Sequence, residues 1–118
     1  MAIISSHVLD SVVGSHAAGI RVQCFLLSGE SRALVFDVNA NDEGRITEQV
    51  SSVTAAEQYE LVFYAKDYFN GLSLPTIGDP VMTEVVTRLS VNNDAAKYHV
   101  PVVLSPHSYT VWWSAAPT

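Results

Sequence analysis

Tyr98-His99-Val100-Pro101-Val102-Val103-Leu104 is the stretch that decides the fold. In an extended chain successive side chains point to opposite faces, so Tyr98, Val100, Val102 and Leu104 line one face while His99, Pro101 and Val103 line the other. A strand with one face in water alternates apolar with polar residues. This run is apolar on one side and largely apolar on the other, so it belongs to a sheet that packs on a core and presents a second surface for burial. The same holds in His7–Asp10, where His7 and Leu9 share a face, and near the end of the chain, where Thr110, Trp112 and Ser114 share one. In a small sandwich, outward faces of this kind point to subunit assembly.

Outward from this stretch, short β-branched and aromatic runs recur at intervals of roughly ten residues, separated by Gly, Asn, Asp and Pro, the pattern of an all-β sandwich or barrel. The candidate strands are His7–Val13, Ile20–Leu27, Ala33–Asn39, Arg45–Ser51, Tyr59–Ala65, Thr83–Val91, Tyr98–Leu104 and Tyr109–Trp113, eight in all. Helical periodicity is confined to Lys66-Asp67-Tyr68-Phe69-Asn70-Gly71, with Gly71 suited to a left-handed position after the last turn. Leu74-Pro75-Thr76-Ile77-Gly78-Asp79-Pro80 reads as a loop, because two prolines and a glycine leave no period. No repeat or low-complexity segment interrupts residues 1–118, which read as a single domain.

Composition narrows the partners. A chain of 118 residues, 48% hydrophobic, can bury one core and has no room for a second domain. Twelve acidic against six basic side chains, a net charge of −6, give no electrostatic footprint for a phosphate backbone, so nucleic acid is not an expected partner. Cys24 stands alone and can form neither an internal disulfide nor a Cys-Cys metal pair. The start, Met1-Ala2-Ile3-Ile4-Ser5-Ser6-His7, lacks the charged and long apolar regions of a secretory signal, and no membrane-length apolar run occurs. A cytoplasmic protein is the expectation, and Ala116-Pro117-Thr118 is not a Ser-Lys-Leu type address.

Four histidines and Arg45 are the side chains with chemistry to offer. A lone histidine in a strand is more often hydrogen-bonded scaffold than catalyst. His7 and His99 lie on the less core-like sides of strands, whereas His16 and His107 fall in segments read as turns. Imidazole titrates near neutrality, so two of them beside a cation can divide base and acid duties. Arg45 follows Asn41-Asp42-Glu43-Gly44, a strong turn sequence that places a guanidinium at the mouth of a strand; its plainer reading is a surface arginine. No Gly-x-Ser-x-Gly elbow and no phosphate-binding glycine loop occurs. The residue types leave a zinc site of His7, His99 and a carboxylate open, although no ligand spacing argues for one.

Taken in order, Ser6-His7-Val8-Leu9-Asp10, Ala17-Ala18-Gly19-Ile20, Asn41-Asp42-Glu43-Gly44-Arg45, Tyr59-Glu60-Leu61-Val62-Phe63, Tyr68-Phe69 and Tyr98-His99-Val100-Pro101-Val102-Val103-Leu104-Ser105-Pro106 resemble the 5-hydroxyisourate hydrolases, the enzymatic relatives of transthyretin. The resemblance covers nearly the whole chain, and transthyretin itself lacks the His, Arg, His set. It implies a transthyretin (prealbumin)-like sandwich of two four-stranded sheets with one short helix, assembled as a homotetramer with active sites in a central channel. It also implies hydrolysis of the ring amide of 5-hydroxyisourate, a urate-derived heterocycle, without metal or organic cofactor. By motif position the catalytic residues are His7, Arg45 and His99, with Leu9, Pro101, Thr110, Trp112 and Ser114 on the substrate-facing side.

Amide hydrolysis needs an activated water, stabilisation of a developing oxyanion and a proton for the departing nitrogen. His7 and His99 are assigned to water activation and proton transfer, the division between them left open, and Arg45 to substrate oxygens. The guanidinium also favours neutral imidazoles, since a nearby like charge disfavours protonation.

The tail departs from the family. The hydrolases end in Tyr-Arg-Gly-Ser; here those positions hold Trp112, Trp113, Ser114 and Ala115, with Ala116-Pro117-Thr118 beyond them. Pro-Tyr-Gly-Tyr has become Pro106-His107-Ser108-Tyr109, and Pro-Ala-Ala-Gly has become His16-Ala17-Ala18-Gly19, a change expected to affect only a turn. Indole is larger than phenol and donates without accepting, so the pocket floor must differ. Three readings follow: a hydrolase with drifted supporting contacts, an enzyme rebuilt for another heterocyclic or aromatic molecule, or a carrier without catalysis. Retention of all three catalytic side chains weighs against the carrier.

Overall fold

The computed structural model describes residues 1–72 and 79–114. Its elements are β1 (Ala2–Asp10), β2 (Ser15–His16), β3 (Arg21–Ser28), β4 (Ser31–Asn39), β5 (Arg45–Val50), β6 (Glu57–Phe63), α1 (Ala65–Asn70), β7 (Val85–Leu89), β8 (Lys97–His99), β9 (Val102–Leu104) and β10 (Tyr109–Val111). One sheet runs β4-β3-β6-β7, antiparallel throughout. The other is built around β1, which pairs antiparallel with β5 and then β2, and parallel with β8 and β9; β10 closes the far side against β9. No helix among the described residues is long and apolar enough to cross a membrane.

Alternation sets the packing. Ala2, Ile4 and Val8 of β1 and Val100, Val102 and Leu104 beside it meet Val22, Cys24, Leu61 and Phe63 of the opposite sheet in one buried core. Burying a side chain the size of Phe63 stabilises the fold by about 2–3 kcal/mol. Asp10 is the buried charge of this region. Its carboxylate accepts the backbone N–H groups of Val12 and Val13 at 2.8 and 3.3 Å and the Tyr68 hydroxyl at 2.8 Å, tying the first hairpin to α1. Burial, followed by the Asp10 carboxylate, pushes the Tyr68 phenol well above its ordinary value.

The sandwich agrees with the sequence in its two sheets and short helix, and differs in detail. Strand β1 starts at Ala2 rather than His7, because Ile3 and Ile4 extend the alternation, and it stops at Asp10 rather than Val13, because that side chain turns the chain. The run Tyr98–Leu104 is broken between His99 and Val102. Pro101 has no N–H to give the ladder, so one continuous strand becomes two segments in a single register with β1, and with β2 the sheet has six segments instead of four strands. Gly71 is right-handed at φ −72° and ψ −14°; its N–H continues the helix ladder to the Asp67 carbonyl at 3.1 Å, which removes any need for a left-handed cap. Most of the proposed Leu74–Pro80 loop, and the tail from Ala115 onward, lie outside the described residues.

Candidate active site

The registers across β1 arrange the outward side chains in rows. Ser5 lies between Thr47 of β5 and His99 of β8, and His99 is bridged in turn by Ser114. His7 lies opposite Arg45. Carrying the β1 register past His99 puts Pro101 on the other side of His7, and the β9–β10 register puts Trp112 beside Pro101, where its N–H reaches the Pro101 carbonyl at 3.3 Å. Leu9 lies between His16 and Val103, with Thr110 beyond. One sheet face therefore carries His7, Arg45, His99, Leu9, Pro101, Thr110, Trp112 and Ser114.

Local sequence explains how Arg45 comes to His7. The Asn41 side-chain oxygen accepts the N–H groups of Glu43 and Arg45 at 2.9 and 3.0 Å, closing the turn. Gly44 then passes against β1 at φ +70°, its carbonyl accepting the Val8 N–H at 2.8 Å. A Cβ on Gly44 would stand 2.4 Å from the Val8 carbonyl oxygen and 3.2 Å from the Ala17 nitrogen. Glycine is required there on both counts, conformation and space.

His99 is 3% exposed, and its Nδ1 is 2.8 Å from the Ser5 hydroxyl. Burial lowers its pKa below the ordinary 6.5, reinforced by Lys97, Arg45 and His7. His7 is also lowered, by burial first, then by Arg45 and His16, against a hydrogen bond from its ring to the Glu43 backbone carbonyl. The guanidinium acts on both rings as the sequence suggests, but desolvation is the larger cause. Among the described residues no group of three His, Cys, Asp or Glu side chains is placed to hold a metal.

The residue missed in the sequence is His16. It sits not in a turn but in β2, paired with Leu9, and its Nδ1 is 3.0 Å from His7 Nε2, with ring centroids 5.1 Å apart. The sequence offers only a coarse signal: a histidine six residues after Asp10, beyond a glycine-containing hairpin, is on a segment that folds back toward the strand carrying His7, but spacing does not set how close it comes. His107 stays exposed in the turn before β10.

A cleft of about 470 Å3 opens elsewhere, between Leu27, Gly29, Arg32, Ala55, Gln58 and Arg88. Its two guanidiniums bind the buried Glu60 carboxylate, at 3.0 Å from Arg32 and 3.2 Å from Arg88, so their charge is already spent. On the histidine face, by contrast, His99 and Pro101 are buried, His7, Leu9 and Arg45 are half-buried, and Thr110 and Trp112 are exposed, Trp112 by 43%.

Comparison with known proteins identifies the family. The chain is 36% identical over 114 residues to 5-hydroxyisourate hydrolase 2 of Rhizobium meliloti, covering 92% of each, and 37% identical over 112 residues to the 5-hydroxyisourate hydrolase of Deinococcus radiodurans, again 92% of each. The crystal structure of (S)-allantoin synthase superposes with a TM-score of 0.77 at 30% identity, over 96% of this chain and 43% of that one, so the chain spans less than half of that protein. The profile of the HIUase/Transthyretin family matches residues 4–113, and the chain belongs to that family.

Proposed function

We propose that this protein is a cyclic amide hydrolase of the 5-hydroxyisourate type, with His7, Arg45 and His99 as its working groups. The observation that carries the reading is the placement of two imidazoles, both disposed to be neutral, on one sheet face with a guanidinium opposite one of them. A neutral imidazole can take a proton from water as the oxygen attacks the ring carbonyl. Arg45 holds the substrate oxygens and the charge that develops on the carbonyl oxygen. The protonated imidazole, or its partner across the Ser5 row, returns a proton to the nitrogen as the C–N bond breaks. These side chains supply base, acid and cation, so the scheme requires no cofactor.

The substrate on this reading rests against Leu9, Pro101, Thr110, Trp112 and Ser114. Because Thr110 and Trp112 on this face are exposed in one chain, a second copy would cover them, and the exposed Trp113 also favours assembly, with a homotetramer as the expected form. Light scattering tests this; a mass near that of one chain refutes it.

A second reading rests on Trp112, which stands next to Pro101 in the row of His7 and Arg45. An indole there favours a flatter or more apolar heterocycle handled by the same catalytic groups. Generating 5-hydroxyisourate with urate oxidase and following its decay decides between the readings. Acceleration at micromolar protein supports the first, and none rules it out.

A further inference from the structure

Ser5 and His99 stand opposite one another across β1 and β8, and both are buried. The Ser5 hydroxyl is 2.8 Å from His99 Nδ1, and among the described residues this is the one hydrogen bond that the hydroxyl makes. The main chain holds the two strands together at this point: the Ser5 carbonyl accepts the Val100 N–H at 2.8 Å, and the neighbouring Ser6 hydroxyl donates to the Val100 carbonyl at 2.6 Å. Two arrangements fit the Ser5–His99 contact. Either an Nδ1–H donates to the Ser5 oxygen, or the Ser5 O–H donates to a bare Nδ1. The first leaves a buried hydroxyl hydrogen without an acceptor, whereas the second satisfies both groups. A neutral imidazole carries a single N–H, so the second arrangement puts it on Nε2.

We propose that Ser5 is a positioning residue that holds His99 as its Nε2–H tautomer, so that His99 serves the reaction as a hydrogen-bond donor to the developing oxyanion and not as the base. This deepens the hydrolase reading, on which it rests, by giving the two imidazoles different duties. A ring whose bare nitrogen is engaged by a hydroxyl, and whose other nitrogen already holds a hydrogen, offers no lone pair to water. Burial strengthens the Ser5 bond and disfavours a charged ring, and Lys97, Arg45 and His7 act on His99 in the same direction.

One proton then travels. An O–H bond of the attacking water breaks, its proton passes to His7, and the oxygen bonds to the carbonyl carbon while an electron pair moves onto the carbonyl oxygen. Arg45 and the His99 Nε2–H donate to that oxygen. As the electron pair returns and the C–N bond breaks, His7 gives the proton to the departing nitrogen. His99 neither gains nor loses a proton in the cycle.

The test combines 15N NMR of the full-length protein labelled at histidine, read above the His99 midpoint, with turnover of 5-hydroxyisourate. Wild-type His99 should carry its hydrogen on Nε2. Ser5→Ala should admit the Nδ1–H form and lower kcat about tenfold with little change in KM, and Ser5→Thr, which keeps the hydroxyl, should restore both. His99→Gln, whose amide donates but takes no proton, should stay within about tenfold of the wild type, whereas His99→Leu should lose roughly 100- to 1000-fold in kcat. A wild-type ring with its hydrogen on Nδ1 overturns the proposal and leaves the hydrolase reading intact. So do unchanged ring shifts and kcat in folded Ser5→Ala, or a His99→Gln no more active than His99→Leu. A wild type that never turns over 5-hydroxyisourate overturns the hydrolase reading, while the ring shifts still decide the tautomer. The wild-type spectrum decides it as well should Ser5→Ala fail to fold.

Discussion

The Ser5 hydroxyl lies 2.8 Å from His99 Nδ1, in a buried contact between residues directly opposite one another across β1 and β8. It fixes which way the His99 ring faces and couples the ring to a strand whose next outward residue is His7. Ser5→Ala leaves a buried ring nitrogen without this partner, a loss of about 1–3 kcal/mol in stability. Urea unfolding should show that loss, and turnover of 5-hydroxyisourate should fall about tenfold, equivalent to ~1.4 kcal/mol in the barrier.

Arg45 stands opposite His7, held by the Asn41 turn. On the proposed mechanism, Arg45→Gln should lower kcat/KM roughly 100- to 1000-fold, the usual effect of removing a donor to a developing oxyanion. It should also raise the NMR midpoints of His7 and His99, since Arg45 helps to lower both. A variant with full activity would remove Arg45 from the mechanism.

Stability and activity should both depend on pH with a definite sign. The pKa values of His7 and His99 lie below 6.5 in the folded chain, so the unfolded chain binds protons first as the pH falls. Stability should therefore drop below about pH 6.5 and level off below the folded midpoints, while the acid limb of kcat/KM also lies under 6.5. Glu60 acts in a lower window. Burial raises its pKa, but the hydrogen bonds and charges of Arg32 and Arg88 outweigh this and leave it below 4.5. Its contribution is present above that value and is lost as the pH falls through the depressed midpoint. Thermal unfolding between pH 3 and pH 8 should show both steps, and Glu60→Gln should diminish the lower one, to which Asp37 and Asp94, also held below the ordinary carboxylate value, contribute.

Gly44→Ala should cost about 1–3 kcal/mol for the positive φ alone, with a further loss because the new methyl meets the Val8 carbonyl. Relief requires the turn to move away from β1, which carries Arg45 away from His7. Activity should fall by more than stability predicts, measured as kcat/KM at a temperature where the variant is fully folded.

Most of the architecture was legible in alternation, because period-two patterning is a direct consequence of two-sided strands. The apolar second face of residues 98–104 pointed to the sheet that carries the histidines, and the Asn41–Gly44 turn pointed to Arg45 at the mouth of a strand. The break at Pro101 was legible in principle, since a residue without an N–H cannot complete a ladder. His16 was not. Its position depends on how tightly the 11–14 hairpin folds back and on Gly44 filling the space behind it, and neither distance can be had from spacing. The right-handed Gly71 escaped for a similar reason: a glycine permits a left-handed cap without requiring one.

The β1-centred sheet has a consequence for how such a protein diversifies. His7, His99 and Arg45 lie on β1 or on strands hydrogen-bonded directly to it, whereas Trp112 and Ser114 belong to the terminal segment, which reaches β1 only through its neighbour. Strand β1 is held in register from both sides, and β5 and β8 are paired directly to it. The terminal segment can exchange bulk and polarity without shifting them. On the proposed mechanism, reaction type and substrate choice are thereby held in separable parts of one sheet, and a lineage can revise what enters the site by changing the residues around Trp112 and Ser114 while His7, Arg45 and His99 stay where they are.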